Sequence, residues 1–558
     1  MAGPATSPLT RPGRRLAEAV AGVPAGRTDY VVLRDLRTPM RDGAELLGDL
    51  YRPRGDDPAP VVLIRTPYGR ATLGSRLFAI VLAGHGFQVL LQSVRGTFGS
   101  DGVFRPFTAE HLDGLDTLAW VRQQPWCDGR VATTGASYFG HTQWAVAPYA
   151  DPPLVASALH ITAASISDVF YEHGVPGAMN AISWTDLIAR QEVPGITGRI
   201  RRSGRNGRAL RALATRPLRE ADVAVTGERV PFWRDITGHA EPDDPFWAVA
   251  DHDAAPLDRM PPVSMVTGWW DLFLQAQLHD VARLQAAGVP VRVTVGPWLH
   301  GSGPEIRELL RSDLVWLEHH LHGGPAPAGP PVRLQLQQTD EWLAFATWPP
   351  PGTAPDVRYL TAGDRLSSTA PAEPEASSQF VFDPSDPTRM RGGPLLAPPG
   401  MQADDADTEA GIDVAVFTGP VEPRDLDLVG EIVAHVHVRP ERERADLFVR
   451  LCDVDEQGVS RNVVEGIRRL DPRTVPADDV AIGPDGVLEV AVELFPTAYR
   501  VQAGHRLRVV VTGGAFPRFA PNPGTGAPLA ETTDGTPYRL EILHDAAHPS
   551  RIVLPVLE

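Results

Sequence analysis

The N-terminal part of the chain alternates short apolar runs with helical sequence. Within residues 28–165 the apolar runs are 31–36, 45–51, 60–65, 86–92, 130–135 and 154–161. β-branched residues are concentrated in the third, fourth and fifth of these runs, which is typical of strands buried on both faces. Asp113–Gln123 has the apolar spacing of an amphipathic helix. Residues 258–346 resume the pattern with runs at 262–268 and 290–296. The alternation predicts an α/β fold with a mostly parallel sheet.

The rest of the chain has two other patterns. Residues 166–257 lack β-branched runs and predict a helical cap inserted between the two halves of the α/β domain. A proline-rich connection, residues 348–355, precedes an all-β region in which apolar and polar residues alternate. Its clearest predicted strands are 427–438, 445–454, 487–494 and 505–512. We therefore expect residues 347–558 to form a β-sandwich of the jelly-roll type.

Composition excludes several classes of function. The net charge of −17 argues against nucleic-acid binding, and no apolar run approaches the length of about 18 residues that a membrane-spanning helix needs. The sequence contains no lysine, so Schiff-base chemistry and a Walker A phosphate loop are excluded. Cys127 and Cys452 are far apart and form no metal or redox pair, which suits the reducing cytoplasm. We expect a cytoplasmic protein with no metal, cofactor, nucleic-acid or membrane partner.

Ser137 is a candidate nucleophile because small residues surround it directly after a predicted strand. The segment reads Gly135-Ala-Ser137-Tyr138-Phe-Gly140. A sharp strand-to-helix turn exposes the serine Oγ and directs the next backbone N–H, that of Tyr138, at a developing oxyanion. In the generic G-x-S-x-G motif the second glycine comes two residues after the serine, whereas here it comes three after. Serines flanked by glycine also occur in plain turns, so the motif alone leaves both interpretations open.

Asp271 and His300 complete a candidate triad. Asp271 follows the predicted strand 262–268, and His300 follows the strand 290–296. The chain order Ser, Asp, His is that of α/β-hydrolases, in which the histidine takes the serine proton and the acid fixes the histidine tautomer. Taken singly, Asp271 also suits a helix N-cap and His300 a loop histidine. Taken together, their order after successive strands favours the triad.

The chain resembles the cocaine esterase and X-Pro dipeptidyl-peptidase family of α/β-hydrolases over nearly its whole length. The matching segments are Arg65-Thr-Pro-Tyr68-Gly-Arg70, residues 94–102, 124–131 and 135–140, Gly268-Trp-Trp-Asp271, Gly296-Pro-Trp-Leu-His300, and residues 503–508 and 516–523. The resemblance implies the same three domains and makes the Tyr68 hydroxyl an oxyanion donor beside the Tyr138 N–H. A tyrosine packed at a strand end is the alternative for Tyr68. The chain departs from the family at Ser93, where aspartate is usual, and at Leu299, where a small polar residue is common.

Five aromatic residues of the cap and the active-site loops are candidate walls of an acyl pocket, although core packing explains any one of them equally well: Tyr171, Trp184, Trp269, Trp270 and Phe273. The expected activity is hydrolysis of a small-molecule carboxylic ester, or an amide, with a compact hydrophobic or aromatic acyl group. The alternative is an X-Pro dipeptidyl-peptidase or α-amino-acid ester hydrolase. That alternative requires acids to hold a free amino group, and Asp168 and Glu172 are the candidates. A non-catalytic binding protein is a third hypothesis, and the sequence leaves a homodimer open.

Overall fold

A computed structural model of the chain describes residues 15, 18–19, 22–192, 205–240, 244–396, 400–442, 444–470, 480–482 and 485–558. Up to residue 345 its strands are β1 (Tyr30–Pro39), β2 (Glu45–Pro53), β3 (Ala59–Thr66), β4 (Gln88–Ser93), β5 (Cys127–Ala136), β6 (Ser157–His160), β7 (Tyr171–Glu172), β8 (Val175–Pro176), β9 (Val263–Trp270), β10 (Val291–Leu299), β11 (Val332–Gln335) and β12 (Trp342–Phe345). The short β7 and β8 pair with each other.

The other strands of this region form one sheet in the order β1-β2-β4-β3-β5-β6-β9-β10-β11-β12. Pairing is parallel from β4 to β11 and antiparallel at both edges. Strands β3, β4 and β9 are buried along nearly their whole length because helices cover both faces, and for β3 and β4 the runs in the sequence predict this burial. The chain therefore has the predicted α/β core, and the strands on both sides of the cap segment join the same sheet.

The helices are α1 (Leu73–Gly84), α2 (Glu110–Arg122), α3 (Tyr138–Trp144), α4 (Ser167–Phe170), α5 (Ala178–Ala189), α6 (Arg205–Ala212), α7 (Ala221–Thr226), α8 (Pro231–Gly238), α9 (Leu274–Ala286), α10 (Gly303–His322) and α11 (Ala406–Glu409). Helices α4 to α8 lie between β6 and β9 and share an apolar core that includes Ile182, Trp233 and Trp247. The same cluster contains Phe107, Tyr138 and Phe273, so the cap packs directly over the region around Ser137. Among the described residues, none of the helices is both long and apolar enough to cross a membrane.

The C-terminal region is all-β, as predicted. Its strands are β13 (Thr353–Thr361), β14 (Arg365–Ser367), β15 (Ser377–Phe382), β16 (Val414–Val421), β17 (Leu426–Pro440), β18 (Ala445–Val454), β19 (Ser460–Leu470), β20 (Val480–Ile482), β21 (Leu488–Val501), β22 (Arg506–Thr512), β23 (Tyr538–Leu543) and β24 (Arg551–Leu557). The long β17 pairs with β21, β23 and β24 and has an irregularity between Gly430 and Ile432. Such a bulge bends a strand and lets it serve more than one part of a sheet.

The all-β region is docked firmly on the α/β core. One continuous apolar cluster includes Val293 and Leu334 of the core together with Leu494 and Tyr499 of the all-β region. The backbone N–H of Gln337 also donates to the carbonyl oxygen of Ala498, at 2.9 Å. Residues of the two parts can therefore contribute to one site.

Candidate active site

Ser137 lies at a strained turn between β5 and α3. The strand ends at Ala136 and the helix begins at Tyr138, which leaves Ser137 with φ 59° and ψ −124°. This left-handed conformation is costly for a residue with a side chain and is typical of functional sites. The glycines beside it allow close packing: a Cβ at Gly135 would lie 2.3 Å from the Phe139 Cβ, and one at Gly140 would lie 2.4 Å from Thr162 Cγ2. Contact of α3 with Thr162 therefore explains why the second glycine comes at position 140.

His300 and Asp271 follow the carboxyl ends of β10 and β9 and reach Ser137 in hydrogen-bonding order. His300 Nε2 lies 3.2 Å from Ser137 Oγ, and His300 Nδ1 lies 2.7 Å from Asp271 Oδ2. Asp271 is fully buried, and its other oxygen accepts a hydrogen bond from the Phe273 N–H at 2.8 Å. The carboxylate is thereby fixed in place, and the histidine is oriented toward the serine.

Two groups beside Ser137 are the candidate donors to an oxyanion that the sequence predicts. Tyr138 is the first residue of α3, where the backbone N–H has no partner within the helix. The Tyr68 hydroxyl accepts a hydrogen bond from Trp184 Nε1 at 3.1 Å, and Tyr68 lines the same pocket as Ser137. Burial raises the pKa of Tyr68 above its usual value of 10.0, so the phenol stays protonated at neutral pH and is able to donate.

A buried ion pair between Arg65 and Glu110 contacts the side chain of Tyr138, the first residue of α3. The Tyr138 hydroxyl donates to Glu110 Oε1 at 2.8 Å and accepts the Phe107 N–H at 2.9 Å. Glu110 Oε2 lies 3.0 Å from Arg65 Nη2, and both side chains are almost fully buried. Burial raises the pKa of Glu110, although the Arg65 guanidinium opposes that effect. This network fixes the Tyr138 side chain at the start of α3, and no spacing in the sequence indicated it.

Glu305 supports the loop that follows His300. The side chain is fully buried, and its Oε2 accepts the Gly301 N–H at 2.6 Å. Burial, together with the negative charge of Asp271, raises the pKa of Glu305 well above its usual range. A neutral carboxylic acid at this position avoids placing two buried negative charges beside His300.

A small pocket of about 50 Å³ adjoins Ser137. Trp184 and Phe273, two of the five candidate wall residues, line it. The remaining lining residues include several that the sequence analysis missed, namely Phe107, His141, Ile166, Val169, Phe170, Asn180, Ala181, Leu272 and Leu396. His141 was detectable, since it lies one helical turn after Ser137. The others come from separate loops and carry no local signal.

The structure does not support Trp269 and Trp270 as pocket walls. Both side chains are buried in the main apolar core at the end of β9, and neither lines the Ser137 pocket. Trp269 Nε1 donates to the Gln335 carbonyl at 2.8 Å, which ties this indole to β11. Because these residues belong to a central strand covered on both faces, their side chains pack against the covering layers and not into the site.

Tyr171 lies in a larger cavity of about 570 Å³ between the cap, α9 and the all-β region. Its hydroxyl donates to the Ile236 carbonyl at 2.7 Å. The cavity shares Val169, Asn180 and Leu272 with the Ser137 pocket, so the two spaces adjoin. Tyr171 therefore lies next to the Ser137 pocket and is not part of its wall.

The acids predicted to hold an amino group, Asp168 and Glu172, line this larger cavity. Glu172 forms an ion pair with Arg518. Burial raises the pKa of Glu172 to about 7, although the guanidinium opposes that effect. Neither acid lines the pocket at Ser137.

An α/β sheet with a strained serine after a central strand, and with an acid and a histidine following later strands in that order, defines the chain as a serine hydrolase of the α/β-hydrolase class. Residues 42–302 match the family model for X-Pro dipeptidyl-peptidase of the S15 family, and residues 327–553 match the model for the X-Pro dipeptidyl-peptidase C-terminal non-catalytic domain. The chain belongs to the cocaine esterase and X-Pro dipeptidyl-peptidase family.

Relatives match from end to end. The cocaine esterase of Rhodococcus sp. is 28% identical, over 95% of this chain and 99% of the relative. A putative serine esterase of Mycobacterium bovis is 26% identical, over 96% and 98%. In fold, the chain is similar to a solved α-amino acid ester hydrolase, with a TM-score of 0.76 and 22% identity over 99% of this chain and 100% of the other. An aminopeptidase from a Thaumarchaeota archaeon gives a TM-score of 0.78 and 22% identity, over 95% and 97%. The protein is a serine ester hydrolase.

Proposed function

We propose that the protein hydrolyses carboxylic esters with a compact hydrophobic or aromatic acyl group through an acyl-enzyme on Ser137. The observation that carries the proposal is the hydrogen-bonding order Ser137 Oγ, His300, Asp271, with distances of 3.2 and 2.7 Å. The proposed reaction uses one chain and no cofactor, and its substrate is a small molecule. A cytoplasmic location and the oligomeric state remain predictions.

In the proposed mechanism His300 Nε2 accepts the Ser137 proton while Oγ attacks the ester carbonyl carbon. Asp271 holds Nδ1–H and stabilises the imidazolium that forms. The Tyr138 N–H and the Tyr68 hydroxyl donate to the carbonyl oxygen as its negative charge develops. His300 then gives its proton to the leaving alcohol. Water, deprotonated by the same histidine, attacks the acyl-enzyme and releases the acid. Amides with the same acyl group follow the same steps.

The pocket supports the choice of acyl group. Its volume of about 50 Å³ admits only a compact group, and aromatic side chains such as Trp184 and Phe273 make most of its surface apolar. The adjoining cavity of about 570 Å³ gives the alcohol portion a place to extend. We therefore expect selectivity for small acyl groups and tolerance of large alcohols.

The alternative, an X-Pro dipeptidyl-peptidase or α-amino-acid ester hydrolase, needs a negative charge where a free amino group would lie. Asp168 and Glu172 are outside the Ser137 pocket, and Glu172 is paired with Arg518. This arrangement favours the ester hydrolase without an amino-group requirement.

A hydrolysis panel tests the proposal. Purified protein is assayed on p-nitrophenyl esters of increasing acyl size and on X-Pro anilides, with and without a free amino group. We expect turnover of small-acyl and benzoyl esters, no dependence on the amino group, and covalent labelling of Ser137 by a fluorophosphonate. Ser137→Ala abolishes both turnover and labelling, whereas Ser385→Ala, at an exposed serine of the all-β region, retains both. Labelling at another serine, or activity of Ser137→Ala within tenfold of wild type, contradicts the assignment.

A further inference from the structure

His141 is a fully buried histidine that lines the pocket beside Ser137. Neither of its ring nitrogens has a hydrogen-bond partner among the described residues. Buried polar atoms in folded proteins are nearly always paired, so an imidazole with neither nitrogen paired needs an explanation. The proposed hydrolysis makes no use of this side chain.

The surroundings of His141 are aromatic. Phe107 and Tyr138 stack with ring centroids 4.8 Å apart, and Trp184 lies nearly parallel to both, at 5.6 and 6.2 Å; we call these three residues the aromatic wall. The His141 ring stands at 89° to the Phe107 ring, with centroids 4.9 Å apart. The imidazole therefore stands edge-on against the aromatic wall and is one of the residues that line the pocket.

The position of His141 relative to the reacting atom is fixed by α3. The backbone N–H of His141 donates to the backbone carbonyl oxygen of Ser137 at 3.1 Å, so the two residues are one helical turn apart. One turn is about 5.4 Å, which is comparable to the span of a six-membered ring. An aromatic acyl group on Ser137 Oγ that lay along the aromatic wall would thus bring a ring substituent toward the imidazole.

The chemistry of the site selects a neutral substituent. Burial lowers the pKa of His141 well below its usual value, and the nearby imidazole of His252, at 5.3 Å, opposes a positive charge further. A neutral imidazole has one N–H donor and one acceptor nitrogen, so it matches a hydroxyl or an amide. A charged substituent would lose its hydration without gaining a counter-ion, because the nearby Glu110 and Arg65 are paired with each other.

We propose that His141 is a specificity-determining residue that selects aromatic acyl groups carrying a neutral hydrogen-bonding substituent, such as a ring hydroxyl, over equally large groups with an apolar substituent. This inference rests on the proposed function, because it assigns the acyl side of the same site. When an apolar analogue binds at this site, the buried imidazole is left without a hydrogen-bond partner. The analogue is disfavoured for that reason.

The test compares p-nitrophenyl esters of 3- and 4-hydroxybenzoate with those of 3- and 4-methylbenzoate, which are close in size. Wild type is expected to show a kcat/KM that is about three- to tenfold higher for at least one hydroxy ester than for its methyl counterpart, as one net hydrogen bond predicts. In His141→Phe, which keeps an aromatic ring but has no polar atom, the ratio falls to about one. His141→Gln restores part of the preference. His111→Phe, at a histidine outside the pocket lining, keeps the wild-type ratio.

The outcomes separate this inference from the proposed function. Equal kcat/KM values for hydroxy and methyl esters in wild type, with Ser137 still labelled by a fluorophosphonate, overturn the role of His141 alone. An unchanged ratio in a folded His141→Phe, or an equal loss in His111→Phe, also overturns it. Absence of turnover on every ester, with no labelling of Ser137, overturns the proposed function and this inference with it.

Discussion

Replacing Tyr68 by phenylalanine separates an oxyanion donor from a tyrosine that merely packs. The substitution removes one oxygen atom and leaves the ring against Phe139, whose centroid is 5.6 Å away. If the hydroxyl is one of two donors to the oxyanion, kcat falls about 10²–10³-fold, or about 2.7–4 kcal/mol of transition-state stabilisation. KM changes little, because the hydrogen bond strengthens only as negative charge develops on the substrate oxygen.

The structure also sets the expected effect on stability. The lost oxygen is the acceptor of the Trp184 Nε1–H, so the variant leaves one indole N–H without that partner. An unmet buried donor costs about 1–3 kcal/mol, and Trp184 is only partly buried, so we expect a loss at the lower end and a decrease in Tm of a few degrees at most. Catalytic loss is thus expected to exceed structural loss.

Steady-state kinetics on a small-acyl ester and a thermal melt of the same preparations decide between the two roles. Trp184→Phe is the matched control, because it breaks the same hydrogen bond from the other side and leaves the Tyr68 hydroxyl in place. It should alter KM through the pocket wall and lower kcat much less than Tyr68→Phe does. A kcat of Tyr68→Phe within threefold of wild type, or equal losses of kcat in the two variants, refutes Tyr68 as the second donor.

Three further predictions concern the surroundings of the site. Glu305→Gln resembles the neutral acid and keeps an acceptor for the Gly301 N–H, so its kcat should stay within a few-fold of wild type. Glu305→Ala removes that acceptor and should lower kcat about 10–100-fold with little change in KM. Equal kinetics of the two variants would refute a positioning role for Glu305. Burial raises the pKa of Asp280 to about 7 from 3.8, so the folded state holds this proton more tightly and stability falls as pH rises between those values. Melts at pH 4.5 and 8 should therefore show that Asp280→Asn gains stability over wild type with rising pH, by up to about 3 kcal/mol, and a pH-independent difference would be contrary evidence. Trp269→Phe should lower Tm by breaking the bond to the Gln335 carbonyl while leaving acyl-size preference unchanged, and an altered preference would return this residue to the pocket.

The local pattern of the sequence determined the α/β core and the order of its chemistry. The β-branched runs that became β3, β4 and β5 are buried on both faces and need no distant information to be recognised. The residues Ser137, Asp271 and His300 follow strands of that kind, and parallel strands bring their carboxyl ends to one edge of a sheet. Position after a strand was therefore enough to predict that these side chains would meet.

Edge strands and short strands were harder to predict. Strands β11 and β12 were not predicted; they are four residues each and come after a proline-rich stretch. Several strands of the all-β region were not predicted either, among them β13 and β24, which pair with each other from opposite ends of that region. Their pairing is set by partners far along the chain, and strand propensity depends strongly on such context.

Only the tertiary structure decided what surrounds the serine. Phe107, Trp184 and Leu396 line one pocket although they come from a loop of the core, the cap and the all-β region. Conversely, Trp269 and Trp270 are adjacent to Asp271 in sequence but are buried in the core. A triad on strand ends is fixed by the regular geometry of the sheet, whereas a pocket wall is formed where separate parts of the chain pack together. Position after a strand therefore predicted which side chains meet at Ser137, whereas no local pattern predicted most of the residues that line the pocket beside it.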